Sequence, residues 1–502
     1  MAGITYELEL PPGIFSDDTT FGAKGRWADG SNVRFQGGRP ETLGHISRIL
    51  DGGVAANPRT IFAFSSGSSP VLIVGGDAAL YTSNIGGIST IENDITPVGL
   101  GSGISYWAFD SWGDSLMAAP KGGSLYTSNG GAGVAATIVS QAPAAMNHML
   151  VTAQRQILAL GCNEEISTTF NPMCIRGCDL EDYTNWTTSA ANNAFEHILE
   201  GQGKIVAGRR VGDYIAVWTN GMLFLGSFIG DPGQTYRFEP VSDGCGLVGP
   251  GAVAELGGVV YWMSSNHRFF RWSPGEPPQQ IPCPISRDLQ DNILASATRL
   301  DVRTTAVKNS AFNEVWWFYP DKRDSATGGY RYVALNTVDG TWFRGQLDRR
   351  AAYHADFLYN PGSGSSYRSW RPFVSVDGDG KVYCHELENP AQGEVGFSSF
   401  IQSADQYIES GRRRVQLQGV NPDFEQQGCP VDLTLYMRDR PQSATVTRGP
   451  YSIDTAADKK DFRASGMIMS VKISLTTNIG TNVIESWRLG KPVFRGIPMG
   501  ER

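Results

Sequence analysis

The sequence predicts an all-β fold, a β-propeller of six or seven blades followed by a C-terminal β-sandwich-like domain. Two observations lead to this prediction. Short runs of β-branched and aromatic residues alternate with turns rich in glycine, which supplies 60 of the 502 residues. A hairpin-like unit also recurs along most of the chain. Many short strands joined by tight turns are typical of sandwiches and propellers.

The recurring unit is clearest in a repeated pentapeptide. LYTSN at residues 80–84 returns at 125–129, a period of 45 residues (125 minus 80). Each copy follows an apolar run, at 71–74 and 116–119, and a Gly-rich turn. Degenerate versions continue the series, and their first strands begin near residues 71, 116, 157, 214, 259, 315 and 373.

The turn chemistry and the apolar pattern of these seven hairpins favour propeller blades. Asn220-Gly221 and Asp377-Gly378 are expected to supply the positive φ that two-residue hairpin turns require. Units of this length that hold a few short strands are typical of blades. Both faces of the strands are apolar, as expected where blades pack against each other. Helical periodicity is rare, and residues 285–297 are the best candidate for a short helix.

Composition divides the chain into three parts. Residues 56–395 hold the seven hairpins and are predicted to form the propeller. Gly-rich and polar residues at 391–399 mark a domain boundary. Residues 396–502 are predicted to form a separate β-sandwich of five or six strands. Residues 1–55 show few strand signals. We interpret them as an arm that packs on the C-terminal domain or closes the propeller.

Charge and cysteine content limit the possible partners and compartment. The net charge of −8 argues against a nucleic-acid grip, which needs clustered Lys and Arg, although DNA could slide past an acidic wall. The seven Cys have no disulfide-framework spacing. No signal peptide or apolar membrane-spanning run is evident, so we expect no membrane anchor and assembly in a reducing cytosol.

The strongest metal-like string is the acidic loop that begins at Asp377. Read as an EF-hand loop, it would place Lys381 where a ligand is needed and Val382 where a glycine is needed. A hairpin turn is the better interpretation. Cys174 and Cys178, with Cys162 upstream, lack the second pair that zinc sites use, so buried free thiols are favoured over zinc.

No string points to catalysis or to a cofactor. HExxH, GxSxG and Walker patterns are absent, and the six His are scattered. A single VDGTW string at 338–342 is a weak match to the turns of propeller glycosidases. The twelve Trp could form glycan platforms, but most lie inside apolar strand runs, which favours core packing. We therefore expect a protein that is not an enzyme.

The strongest basic run is Arg412-Arg413-Arg414, followed by Arg349-Arg350. Arg412, Arg413 and Arg414 are candidates for contact with a neighbouring subunit or with DNA. The alternative is a charged strand edge that blocks aggregation. The sequence leaves these alternatives open.

An ordered series of strings resembles the tail nozzle proteins of short-tailed bacteriophages, also described as tail hub or packaged-DNA stabilisation proteins. The series spans nearly the whole chain. It consists of GRWADGSNVRF at 25–35, GGRPE at 37–41, DLEDYTNW at 179–186, VYW at 260–262, IPCP at 281–284, EVWWFY at 314–319, GTW at 340–342, DGKVYCHE at 379–386, YIESG at 407–411, DFRASG at 461–466 and WRLGKP at 487–492. It departs at Gly177-Cys178, where a Ser-type turn is expected.

The resemblance implies a structural part of a virion tail rather than an enzyme. It implies a hexameric ring below the portal, which contacts the tail adaptor above and fibre, spike or needle proteins elsewhere. It also implies retention of packaged double-stranded DNA and its passage during ejection, without sequence-specific binding. Six copies at −8 each would carry −48, which would repel passing phosphates if part of it faced the lumen. The alternatives are a receptor- or glycan-binding propeller on the tail and a glycan-cleaving enzyme.

Overall fold

Antiparallel strands make up most of the described chain, so the all-β prediction is confirmed. The computed structural model contains one α-helix among the described residues, α1 (Ser286–Asn292), and a single 3-10 turn, Lys322–Asp324. The structure describes residues 3–50, 57–66, 69–84, 93–129, 133–201, 203–293, 303–324, 329–354, 373–387, 396–409, 411, 413–455, 457–476 and 486–499.

The first fifty residues contain five strands, where the sequence showed few strand signals. The strands are β1 (Ile4–Glu7), β2 (Trp27–Ser31), β3 (Val33–Gln36), β4 (Arg39–Thr42) and β5 (His45–Leu50). They are short, and their partners lie far away in the chain, which is why local pattern does not reveal them.

Six four-stranded antiparallel sheets follow, each built from strands consecutive in the chain. Sheet 1 contains β6 (Pro58–Ser66), β7 (Ser69–Gly76), β8 (Leu80–Asn84) and β9 (Asn93–Asp94). Sheet 2 contains β10 (Trp107–Trp112), β11 (Ser115–Pro120), β12 (Tyr126–Ser128) and β13 (Thr137–Ile138). Sheet 3 contains β14 (Met146–Val151), β15 (Ile157–Asn163), β16 (Phe170–Gly177) and β17 (Phe195–Ile198).

Sheets 4 to 6 repeat this order. Sheet 4 contains β18 (Ile205–Val211), β19 (Tyr214–Thr219), β20 (Met222–Asp231) and β21 (Gln234–Asp243). Sheet 5 contains β22 (Val253–Leu256), β23 (Val259–Met263), β24 (Phe269–Trp272) and β25 (Gln279–Ile281). Sheet 6 contains β26 (Thr305–Asn309), β27 (Glu314–Pro320), β28 (Tyr330–Asn336) and β29 (Trp342–Gln346).

Sheet 7 takes its fourth strand from the other end of the chain. Its consecutive strands are β30 (Ala351–His354), β31 (Phe373–Val376) and β32 (Val382–Leu387). Strand β5 pairs antiparallel with β32 and completes the sheet. Backbone hydrogen bonds therefore join the N-terminal segment to the last of the seven sheets.

Residues after 395 form ten strands, more than the five or six predicted. They are β33 (Ser398–Ser403), β34 (Gln406–Tyr407), β35 (Val415–Asn421), β36 (Phe424–Gln427), β37 (Val431–Arg438), β38 (Val446–Ile453), β39 (Lys460–Gly466), β40 (Ile468–Thr476), β41 (Trp487–Leu489) and β42 (Val493–Pro498). Strands β1 to β4 are incorporated into their three sheets: β1-β42-β35-β39, β2-β33-β40-β37-β38 with β34 on β40, and β3-β4-β41-β36. The C-terminal sheets are thus built from both ends of the chain.

The seven consecutive four-stranded sheets make the fold propeller-like. In each sheet the second strand begins close to the position predicted for a hairpin, at Ser69, Ser115, Ile157, Tyr214, Val259, Glu314 and Phe373. All seven residues of β27 are buried. Burial of both faces of a strand explains the continuous apolar runs of the sequence.

Helix α1 lies inside the predicted 285–297 segment but ends earlier, at Asn292. Residues 294–297 of this segment lie outside the described part of the chain. Residues 391–395 of the predicted boundary at 391–399 and residues 51–55 of the predicted arm also lie outside it.

A buried ion cluster connects the N-terminal strands with sheets 6 and 7. Arg34 on β3 donates to both carboxylate oxygens of Glu314 on β27, at 3.0 and 3.1 Å. It also donates to both oxygens of Glu386 on β32, at 2.7 and 2.5 Å. Asn309 and Trp316 donate further hydrogen bonds to Glu314, at 3.1 and 2.8 Å. All three charged side chains are at most 2% exposed.

The cluster carries two carboxylates for one guanidinium, and this imbalance affects ionisation. Burial raises the pKa of Glu314 to about 7; Arg34 opposes this shift, and the negative charge of Glu386 adds to it. Glu314 therefore takes up a proton near neutral pH far more readily than an exposed glutamate.

Replacing Arg34 with methionine should destabilise the protein by about 3–5 kcal/mol, because it leaves two buried carboxylates without a counter-charge. The matched control is Arg39→Met in the same hairpin, whose exposed pair with Glu425 should contribute about 0–1 kcal/mol. Urea denaturation followed by circular dichroism measures both variants. Equal losses in the two variants would contradict the assigned role of Arg34.

Replacing Glu314 with glutamine should alter the pH dependence of stability. The folded-state pKa of Glu314 lies above its ordinary value of 4.5. The stability that protonated Glu314 contributes is therefore complete below about pH 4.5 and is lost as pH rises towards about 7. Glutamine cannot ionise. The stability of Glu314→Gln relative to the parent should therefore rise by about 1–3 kcal/mol across this range. Parallel pH profiles would refute the assignment; Glu425→Gln, at an exposed position, is the control.

Candidate functional site: a central cavity

A central cavity lies where the first strands of all seven sheets meet. Its volume is about 600 Å³. Residues on or beside β6, β10, β14, β18, β22, β26 and β30 line it. Because all seven sheets contribute residues to this lining, the cavity is a property of the whole set of sheets.

The lining carries more positive than negative charge. Its charged side chains are Arg59, Arg209, Arg210, Lys308, Asp110 and Glu255, with His148 and His354 beside them. Lys308 and Glu255 form a loose pair at 4.0 Å. The surplus of two formal positive charges contrasts with the net charge of −8 for the chain.

Asp110 uses its carboxylate to join sheets 2 and 3. One oxygen accepts the backbone N–H of Val151 on β14 at 2.8 Å, and the other accepts the N–H of Ser111 at 2.8 Å. Burial raises the pKa of Asp110, while these two N–H donors act to lower it. Because both oxygens already accept hydrogen bonds, Asp110 has a structural role.

Arg209 links three neighbouring sheets at the cavity wall. Its guanidinium contacts His148 Nε2 of sheet 3 at 2.9 Å and donates to the carbonyl of Pro250, just before sheet 5, at 3.0 Å. Burial, followed by the charge of Arg209, lowers the pKa of His148 well below its ordinary value. His148 is therefore neutral, and its Nε2 accepts the hydrogen bond from Arg209.

The basic run highlighted by the sequence lies in the C-terminal sheets, away from this cavity. Arg412 is outside the described residues. Arg413 is exposed. Arg414 is half-buried and pairs with Asp439 at 3.1 Å, with a longer bond to the carbonyl of Ser465. Arg414 therefore has partners within its own chain, and the predicted contact of this run with another molecule stays a prediction.

The second basic run is split by burial. The guanidinium of Arg349 is buried 3.9 Å above the ring of Tyr383, a cation–π contact that makes it part of the core. Its neighbour Arg350 donates to the amide oxygen of Asn57 at 3.4 Å, and its guanidinium lies against the turn at Gly378. The sequence pattern did not reveal the residues that line the central cavity, because they come from seven separate strands that share no motif.

The acidic loop at Asp377 is a hairpin turn between β31 and β32. One carboxylate oxygen of Asp377 accepts the N–H groups of Asp379 and Lys381, and the other accepts the hydroxyl of Tyr383 at 2.7 Å. These hydrogen bonds account for an aspartate at position 377, because its carboxylate stabilises the turn. In the described part of the chain, no group of three or more His, Cys, Asp and Glu is arranged to hold a metal ion.

The other candidate residues are in the core. Cys162, Cys174 and Cys178 are buried free thiols between sheets 2 and 3. A side chain at Gly177 would collide with the ring of Phe195, which explains glycine at the position where the family resemblance departs. All Trp residues in the described ranges are buried, so none forms a surface platform there; Trp370 lies outside those ranges.

Arg209 and Arg210 offer a direct test of which arginine supports the cavity wall. Arg209→Gln should cost about 1–3 kcal/mol, since the buried groups that it satisfies lose their partner. Arg210 is exposed, and its side chain has no ion pair with the described residues, so Arg210→Gln should change stability by less than about 0.5 kcal/mol. Urea denaturation of both variants is the measurement. A larger loss for Arg210→Gln would contradict this assignment.

Helices in the described ranges are too short and too polar to cross a membrane.

No protein-family model and no curated protein matches the chain. Similar solved structures include the computationally designed Ika8 protein, at 13% identity over 68% of this chain and 100% of that chain, with a TM-score of 0.37. BBS1N in complex with ARL6DN is 12% identical over 70% of this chain and 99% of that chain, with a TM-score of 0.39. PorZ of Porphyromonas gingivalis, a surface component of the type-IX secretion system, is 10% identical over 75% of this chain and 44% of that chain, with a TM-score of 0.37. Similarities this low carry no argument about function.

Proposed function

We propose that the protein is a structural, non-enzymatic subunit of a bacteriophage tail, a nozzle or hub that retains packaged DNA and conducts it during ejection. The observation that carries this proposal is the ordered series of strings that resembles the tail nozzle proteins from residue 25 to residue 492. Each string is short. Their common order along one chain is what distinguishes this proposal from the receptor-binding and enzymatic alternatives.

The position of the first string within the fold supports a structural interpretation. GRWADGSNVRF covers β2 and β3, and its residues Trp27, Val33, Arg34 and Phe35 are all buried. EVWWFY covers most of β27 and begins with Glu314, the partner of Arg34. Strings that meet in a core ion cluster are expected to preserve an architecture, not a catalytic centre.

We further infer that the seven sheets are seven blades of a propeller around the central cavity. Their first strands share that cavity, and β5 joins the N-terminal segment to sheet 7 by backbone pairing. In the proposed hexameric ring, the propeller and the C-terminal β-domain of each subunit offer separate surfaces. The partners would be the tail adaptor and fibre, spike or needle proteins, with passing double-stranded DNA in the lumen. Its place would be the virion tail, assembled in the host cytoplasm.

The proposal predicts that phage particles lacking this chain package DNA and then lose it. A nonsense allele of its gene in the encoding phage should yield heads whose DNA becomes nuclease-sensitive, and wild-type protein supplied in trans should restore protection. Arg34→Met should fail to restore it, while Arg39→Met should succeed. Particles that retain DNA but do not adsorb would instead support the receptor-binding alternative. Cryo-electron microscopy of wild-type virions should show six copies around the channel beyond the adaptor.

A further inference from the structure

Three arginines from different parts of the propeller-like fold lie near one end of the central cavity, and we call them the arginine mouth: Arg59, which lines the cavity, and Arg303 and Arg350, which lie close in sequence to the lining residues Thr305 and Ala351. Arg59 is the second residue of β6 and lines the cavity. Arg303 lies two residues before β26, and Arg350 directly precedes β30. All three therefore lie at the start of a first strand, where sheets 1, 6 and 7 surround the cavity.

Hydrogen bonds bring Arg59 and Arg350 to the same point. Arg350 donates to the amide oxygen of Asn57 at 3.4 Å, and the amide nitrogen of Asn57 donates to Asp77 at 3.2 Å. The same carboxylate oxygen of Asp77 lies 3.9 Å from a guanidinium nitrogen of Arg59. Asn57 and Asp77 thus bridge two arginines that are 291 residues apart in the sequence (350 minus 59).

The arginines of the mouth act on one another's ionisation, as the pKa of Arg59 shows. Burial is the main cause that lowers the pKa of Arg59, and the charge of Arg303 is the next, ahead of the opposing effect of Asp77. In the described part of the chain, Asp348 adjoins Arg350, Asp377 precedes the Gly378 that the guanidinium of Arg350 approaches, and Tyr330 lies near the three guanidiniums. Mutual repulsion among arginines in a partly buried site favours uptake of a negative charge.

Unmade hydrogen bonds at the same place provide a second, independent observation. The Nε–H groups of Arg59 and Arg350 are buried and have no acceptor among the described residues. A buried donor without an acceptor is unfavourable, and such groups are rare unless water or a ligand completes them. Both donors belong to planar guanidiniums, whose forked geometry matches the paired oxygens of phosphate, sulfate and carboxylate.

We propose that the arginine mouth binds an oxyanion, the phosphate, sulfate or carboxylate group of a small molecule that extends into the central cavity. The cavity volume of about 600 Å³ exceeds what a bare ion fills and lies within the range of small-molecule sites. Aromatic rings line the cavity wall beyond Arg59. The ring centroid of Phe62 lies 4.9 Å from that of Tyr353 and 5.9 Å from that of Phe109. These rings offer an apolar surface to the rest of the ligand.

Titration calorimetry of the full-length protein with two probes, inorganic phosphate and glucose 1-phosphate, tests this proposal. Both probes should bind the unaltered protein. Arg59→Gln and Arg303→Gln should each weaken binding by about tenfold or more, because each removes a charged donor. Arg237→Gln is the matched control, since Arg237 is 65% exposed and pairs with Glu239 on sheet 4; it should leave the affinity unchanged.

The relative affinities identify the source of the oxyanion. Equal affinity for the two probes would assign the site to a free oxyanion, and tighter binding of glucose 1-phosphate would assign it to an organic ligand that uses the aromatic wall. Absence of binding by either probe would overturn the proposal, as would an unchanged affinity in the arginine variants. Because Arg59 and Arg303 lie on different sheets, either variant that folds, as judged by circular dichroism, decides the outcome.

Discussion

The ion cluster of Arg34, Glu314 and Glu386 is the interaction on which the rest of the structure depends. It joins β3, which belongs to the C-terminal sheets, to β27 of sheet 6 and β32 of sheet 7. A buried ion pair is not necessarily stabilising compared with an apolar core, but loss of one member leaves an uncompensated charge. The cluster therefore makes one arrangement of the N-terminal strands much more favourable than any alternative.

Backbone pairing between distant parts of the chain reinforces this constraint. β1 near the start of the chain pairs with β42 near its end, and β5 pairs with β32 of sheet 7. The sheets that contain these pairs therefore combine strands from distant parts of the chain. Such contacts have a high entropic cost, because each one closes a long loop of the chain. The N-terminal segment is consequently a shared component of the propeller-like part and the C-terminal part.

The central cavity and the proposed tail function concern different levels of organisation. A nozzle would conduct DNA through the lumen of a ring of subunits, whereas the cavity belongs to a single chain. The positive lining of the cavity has no role in repelling DNA from that lumen. An oxyanion bound at the arginine mouth would neutralise repulsion among Arg59, Arg303 and Arg350 and would thereby stabilise the packing of sheets 1, 6 and 7.

The sequence alone determined the fold class, the second strand of each of the seven sheets, the turn at Asp377 and the burial of the described Trp residues. These features depend on local alternation and turn chemistry, which are visible within a few residues. Only the tertiary structure decided the partners of β1 to β5, the contacts of Arg34 and the composition of the cavity. The basic run at 412–414 was locally prominent, yet Arg414 pairs within its own chain, while the arginine mouth is assembled from single residues. The physical reason is that pairing over hundreds of residues depends on contacts between distant segments and on buried charge, and neither leaves a periodic signal in the sequence.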